Sequence, residues 1–193
     1  TTMGQLAQKH SAINLSQGFP NFEPDPSLID LVTQAMKQGY NQYAPMAGVM
    51  ELREMIATKI EQLYGRHYNP DSEITVTIGA TQAITAFVGN GDEVIVIKPA
   101  YDCYEPAIEV NGGVPVFVQL NNADFKIDWE VFRSKITPRT KMVIINTPHN
   151  PSGTIFSKED MLELQKCLEN TDIIVISDEV YEHIIFDGLE HES

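Results

Sequence analysis

Residues 142–153 read Met142-Val143-Ile144-Ile145-Asn146-Thr147-Pro148-His149-Asn150-Pro151-Ser152-Gly153. An unbroken apolar run stops at an amide and gives way to a loop stiffened by two prolines and closed by a glycine. Such a run is what a strand covered on both faces requires, and strands of that kind belong to parallel sheets. Working outward, the same texture recurs at Glu93–Ile97 and Ile173–Ser177, with further strands predicted at Ile74–Ile78 and Val114–Leu120. Helical spacing fills the intervals and predicts helices over 81–88, 102–111, 128–136 and 157–168. Asp128 is a candidate cap, and Ser157-Lys158-Glu159-Asp160 supplies a cap with acidic first-turn residues. Upstream, helices are predicted over 27–38 and 48–64, stopped by Gly39 and Gly65, after an irregular loop at 11–25. Strands alternating with helices predict βαβ units: an α/β fold, a three-layer mostly parallel sheet with helices on both faces. Ligands of such sheets bind beyond the carboxyl ends of the strands, so the residues after each strand carry the functional reading.

Composition narrows the classes. The chain has 193 residues, with 13 Lys+Arg against 27 Asp+Glu and a formal net charge of −14. That balance argues against nucleic acid or an anionic membrane surface as main partner, since both require a local excess of Lys and Arg. Cys103 and Cys167 stand far apart with no CxxC, which excludes a disulfide scaffold or cysteine zinc site and fits a reducing compartment. No metal site is expected. No apolar run approaches the roughly 20 residues that span a bilayer, and the first residues show no signal peptide.

Four strand ends carry chemistry-bearing residues. Gly79-Ala80-Thr81-Gln82-Ala83-Ile84 follows the first predicted strand. Small residues at a strand-to-helix turn let backbone amides approach an anion, although this is neither a Walker A loop nor GxGxxG. A tight turn alone would ask for the same residues. Tyr101, after the second strand, could stack on a planar ring or simply pack against a neighbouring loop. Asn150 is placed before Pro151, a position biased to extended backbone, so its amide can be aimed. His149 beside it reads as a polar loop residue rather than a general base. Asp178 follows an apolar strand, where a carboxylate requires a cationic partner or serves as a cap.

Taken in order, these pieces resemble the fold-type I pyridoxal-phosphate enzymes, and within them the class I aminotransferases. The matching stretches are Asn14-Leu15-Ser16-Gln17-Gly18-Phe19-Pro20, Asn41-Gln42-Tyr43, Gly79–Ile84, Tyr101-Asp102-Cys103-Tyr104, Asn146–Gly153 and Ser177-Asp178-Glu179-Val180-Tyr181-Glu182. The first and fourth look most like the branch of methionine, glutamine and kynurenine aminotransferases. The resemblance implies a pyridoxal 5'-phosphate cofactor and an amino-group transfer between an amino acid and a 2-oxo acid. It implies that Gly79, Ala80 and Thr81 hold the phosphate, that Tyr101 stacks on the ring, and that Asn150 and Tyr181 donate to the ring 3'-oxygen. It implies that Asp178 pairs with the pyridinium nitrogen and keeps the ring an electron sink. Tyr43 would reach the phosphate of a neighbouring subunit in a homodimer with shared sites. Gly18, like Asn150, would lie against the substrate. Residues 1–45 would form an N-terminal arm with substrate-side loops, and residues 46–193 the cofactor-binding large domain of a cytoplasmic enzyme. Phe19 and Tyr101 hint at an apolar or aromatic substrate.

Two departures stand out. The family's Schiff-base lysine lies in a Ser-x-x-Lys stretch a few tens of residues beyond the Ser-Asp-Glu-Val-Tyr piece, and the carboxylate-binding arginine lies later still. Residues 182–193 contain no lysine. Lys98, Lys141, Lys158 and Lys166 read as surface or helix charges. The chain is therefore expected to be the N-terminal half of an enzyme, inactive alone. The helix after Gly79 is also about a turn shorter than the family pattern: either a few residues are missing after Ile84 or, if the gap belongs to the protein, that helix is expected to pack poorly. Alternatives are a β-lyase or decarboxylase on the same scaffold, or a non-catalytic ligand-sensing module. A nicotinamide dehydrogenase is disfavoured, because no GxGxxG follows a strand.

Overall fold

The computed structural model describes residues 2–16, 18 and 20–193. Gln17 and Phe19 of the Asn14–Pro20 motif lie outside the described residues. The chain divides into two compact units, Thr1–Pro45 and Met46–Ser193. The first contains helices α1 (Thr2–Lys9) and α2 (Pro26–Lys37). The Asp25 carboxylate caps α2 by accepting from Ser27 N at 2.8 Å. Helix α1 is an addition to the sequence reading, which placed no element before residue 11.

The second unit opens with α3 (Met50–Tyr64) and α4 (Gly79–Phe87), and then alternates β1 (Glu93–Lys98), α5 (Tyr104–Glu109), β2 (Val114–Gln119), α6 (Trp129–Ser134), β3 (Thr140–Asn146), α7 (Lys158–Leu168) and β4 (Ile174–Asp178). The predicted caps form. Asp128 accepts from Glu130 N and Val131 N, and Ser157 and Asp160 make a reciprocal capping box.

All pairings are parallel and the order is β2-β1-β3-β4. Strand periodicity sorts the core into two layers. Val94, Val96, Met142 and Ile144 pack with Ile84 of α4 and with Ala107 and Ile108 of α5. Ile95, Ile97, Val143 and Ile145 point the other way, to Phe132 of α6 and Leu164 of α7. Helices thus cover both faces, as predicted. Right-handed crossovers account for the sorting. The step β1→β2 runs one way along the sheet; the steps β2→β3 and β3→β4 run the other, so α5 falls on one face and α6 and α7 on the opposite one. The reversal leaves a switch point between β1 and β3, where the loops leaving the two strands diverge.

Three expectations are corrected. Residues 74–78 do not form a strand. Their backbone is held by other partners: Val76 N donates to Ala47 O at 2.9 Å, and Ile74 O accepts from the buried Arg53 Nε at 2.9 Å. β-branched residues favour a strand only where a neighbouring strand offers a ladder. Second, β4 is not covered on both faces: Ile174 and Ile176 pack inward, whereas Val175 is 41% exposed. β4 pairs with β3 alone in this sheet, so it is an edge strand. Third, α4 is short yet anchored: Ile84 is buried in the first core layer, although Phe87 at the helix end is 55% exposed.

Gly48 is required by this arrangement. Its φ is +96°, and a Cβ there would stand 2.5 Å from Val76 Cγ2. Gly48→Ala is expected to destabilise the chain by about 1–3 kcal/mol through overpacking and backbone strain. An unchanged denaturation midpoint would refute this.

Candidate active site

A cavity of about 300 Å³ opens at the carboxyl ends of β1, β3 and β4. Gly79, Ala80, Thr81, Tyr101, Tyr104, Asn146, Asn150, Asp178, Val180 and Tyr181 line it. Predicted site residues far apart in sequence therefore meet at one place, the switch point of the sheet. Tyr43 and Gly18 belong to the first unit, where both are exposed.

One wall is the start of α4. The helix begins at Gly79, two residues before the predicted start, and its N-cap Ile78 has an apolar side chain that offers no cap. The amides of a first helical turn have no intrahelical carbonyl to bond, and the helix dipole adds partial positive charge there. This wall suits an anion, and the exposed Thr81 adds a hydroxyl.

Asp178, the last residue of β4, lines the same cavity. Its Oδ2 accepts from the Tyr104 hydroxyl at 2.6 Å and its Oδ1 from Val180 N at 3.3 Å. Burial and the Asp178 carboxylate push the Tyr104 hydroxyl well above its ordinary pKa, so it remains a donor. The backbone is locked as well: the Asp178 carbonyl accepts from Asn146 Nδ2 at 2.8 Å and from Thr147 N at 3.1 Å. Asn146 Oδ1 in turn accepts from Asn150 N at 2.7 Å. Asn146 thus ties the loop after β3 to the end of β4.

Asn150 and Tyr181 line the cavity too, with Asn150 Nδ2 3.4 Å from the Tyr181 hydroxyl. Tyr101 stands beside them, edge-on to Tyr104 with ring centroids 5.6 Å apart. The peptide bonds Lys98-Pro99, Thr147-Pro148 and Asn150-Pro151 are cis, and Gly153 closes the loop after β3 at φ +74°.

Tyr104 and Asn146 are contributors that residue-type reasoning passed over as functional. Tyr104 had a weaker signal: a second tyrosine close after Tyr101, in the same strand-end stretch and at the start of a helix. An amide ending a strand of apolar residues was the signal for Asn146.

His149 is buried, and its Nδ1 is 2.6 Å from Ser152 Oγ, which is itself 2.7 Å from Thr154 Oγ1. Burial lowers its pKa below the ordinary histidine value. The folded chain therefore holds it neutral while the unfolded chain protonates it near pH ~6.5. Its contribution is present above that pH and is lost as pH falls through the folded value. Melting temperature is expected to drop on acidification below about pH 6.5, less steeply in His149→Asn. Identical profiles for the two proteins would refute the assignment.

The cavity thus brings together a helix start, one carboxylate, two amides and three phenols.

The sequence profile described as "Aminotransferase class I and II" matches residues 10–193. A methionine aminotransferase of Escherichia coli is 50% identical over 197 aligned residues, which take in 100% of this chain and 51% of that protein. A kynurenine–oxoglutarate transaminase of Rattus norvegicus is 37% identical, over 98% of this chain and 49% of its own length. Among solved structures, an Escherichia coli protein described as having a methionine aminotransferase function superposes with a TM-score of 0.94 at 50% identity, over 100% of this chain and 52% of that one. The chain spans about half the length of the curated relatives it matches. On the profile match, and with the parallel sheet and its strand-end motifs in place, the chain belongs to the class I and II aminotransferase family.

Proposed function

We propose that this chain is the cofactor-holding part of a pyridoxal 5'-phosphate-dependent aminotransferase acting on an amino acid of methionine, glutamine, kynurenine or aromatic type and a 2-oxo acid. One observation carries the reading: the anion-binding start of α4, the Asn150–Tyr181 pair and the Asp178 carboxylate converge on one cavity. When bound, the cofactor supplies an electron sink for charge developing at the substrate α-carbon.

The chain's own residues bind and orient. The amides of Ala80 and Thr81 in the first turn of α4, with the Thr81 hydroxyl, would hold the phosphate, and Gly79, whose own amide donates to Thr77 O at 2.9 Å, leaves room beside them. Asp178 keeps a proton on the ring nitrogen, because a carboxylate beside a basic nitrogen favours its charged form. Tyr104 and Val180 N fix that carboxylate in direction. Asn150 and Tyr181 would donate to the ring 3'-oxygen, and Tyr101 would stack on the ring. Gly18 and Asn150 adjoin the substrate.

Residues 1–45 act as arm and substrate-side loops, and Tyr43 reaches the phosphate of a second subunit in a homodimer. Cys103 and Cys167 are both free, which supports a reducing, cytoplasmic setting. None of the described helices is long and apolar enough to cross a membrane. No Ser-x-x-Lys occurs in the chain, so the covalent lysine is assigned to sequence outside it, and turnover is expected only when that sequence is joined.

Equilibrium dialysis of the chain against pyridoxal phosphate tests the reading. Stoichiometric binding that is weakened by Thr81→Ala and Asp178→Ala is the expected outcome. No binding to the chain or to the protein extended through a Ser-x-x-Lys segment would overturn it.

A further inference from the structure

The turn that follows β4 is shared between two clefts. Asp178, Val180 and Tyr181 face the cavity described above, whereas Ser177, Glu179 and Glu182 line a second cleft of about 370 Å³ against α3. In that second cleft the Glu182 side chain is 16% exposed and is gripped by α3. Lys59 Nζ donates to its Oε1 at 2.5 Å, and the Tyr64 hydroxyl donates to its Oε2. His183 Nε2 stands 3.3 Å from Oε1. Burial pushes the Glu182 carboxyl up, but the Lys59 and Tyr64 hydrogen bonds outweigh it and hold the group below its usual pKa. Burial and Glu182 together drive the Tyr64 hydroxyl up, so it stays a donor.

The residue before this anchor is Tyr181. Hydrogen bonds from Glu182 N to Glu179 O at 2.9 Å and from Ile184 N to Tyr181 O at 2.8 Å close the turn around it. The phenol's contact with Asn150 is long, at 3.4 Å. A bond of that length is weak and does not fix a ring by itself. The Tyr181 ring therefore follows the backbone of the turn, which Glu179 holds on one side, accepting from the Ser177 and Ser193 hydroxyls at 2.6 and 3.1 Å with His191 Nε2 2.9 Å away, and which α3 holds on the other through Glu182.

We propose that Glu182 is a positioning residue: clamped by Lys59 and Tyr64, it aims the Tyr181 phenol at the position shared with Asn150. This rests on the cofactor reading of the cavity for its consequence, though not for its geometry.

The test has two arms. In the first, the unliganded protein carries ¹³C-labelled tyrosine, and Tyr181→Phe identifies the Tyr181 ring signals. Glu182→Ala is expected to shift or broaden those signals and to spare the ring signals of Tyr101 and Tyr104. Glu182→Gln, which can still accept from Tyr64, is expected to restore part of the wild-type spectrum. In the second arm, Glu182→Ala and Tyr181→Phe are each expected to raise the Kd for pyridoxal phosphate about tenfold, with the double variant no weaker than Tyr181→Phe, because members of one network are not additive. Unmoved Tyr181 signals, or a double-variant loss equal to the product of the single losses, would overturn the proposal. If Glu182→Ala does not fold, Lys59→Met and Tyr64→Phe take its place in both arms. If the unaltered protein binds no pyridoxal phosphate, the cofactor reading fails by itself, and the first arm still decides the positioning.

Discussion

Asp178→Asn is expected to leave the fold in place and, in the protein extended through the covalent lysine as proposed, to lower turnover on the order of 10²–10³-fold, the cost of removing one preorganised electrostatic partner from a site. Asparagine keeps the size of the side chain. Its carbonyl can still accept from Tyr104, which now donates to Oδ2 at 2.6 Å. What it lacks is the negative charge that keeps a ring nitrogen protonated. Affinity for pyridoxal phosphate is expected to fall as well, since a charge-assisted bond becomes a neutral one. Tyr104→Phe is the control: it removes a bond to the carboxylate without removing the charge, and its effect is expected to be smaller. Unchanged turnover in Asp178→Asn would take the residue out of the assigned role. A lost fold would show instead as a loss of cooperative melting.

Phe132→Ala is expected to cost about 3–5 kcal/mol of stability, the range for deleting a large aromatic from a packed core. Phe132 is fully buried in the second core layer, below β1 and β3, and stacks edge-on with Trp129 at 5.4 Å. Its neighbours Val118, Val143 and Leu164 come from three different elements, so none can close the space alone. Phe132→Leu, which keeps most of the volume, is expected to cost less than half as much. The check is the shift in urea midpoint at constant slope. Equal losses in the two variants would mean that the layer collapses around the site.

Much of this was legible in local pattern. The runs at 94–97 and 142–146 are solid because both faces of β1 and β3 are covered, and the caps at Asp128 and Ser157 are residue-type signals acting within one turn. The strand-end motifs place Tyr101, Asn150, Asp178 and Tyr181 at one cavity, as the alternation of strands and helices implied, and Gly79 joins them although no strand precedes it. What escaped depends on distant partners. Ile74–Ile78 has the composition of a strand, but the carbonyl that holds it belongs to Ala47 and the buried cation to Arg53. Val175 is as apolar as Val143; it differs in lying on an edge strand, and strand order is not written in any short window. Tyr104 and Asn146 look like ordinary helix-start and strand-end residues until Asp178 is placed beside them. Glu182 reads as a turn carboxylate, because its partners Lys59 and Tyr64 lie more than a hundred residues earlier.

The order of the strands also bears on how the molecule assembles. β1 registers with β2 through Val94↔Pro115, a closure of short range, whereas its pairing on the other side, Val94↔Met142, must wait for a much later part of the chain. Pairings between distant residues form slowly, since the chain loses loop entropy before they return any contact energy. During synthesis, β1 and β2 can pair as a unit while the inner edge of β1 stands open to solvent. The insertion of β3 closes that edge, and β4 can follow only then. Because the cavity draws on the ends of β1, β3 and β4, it is complete only once β3 and β4 have both paired.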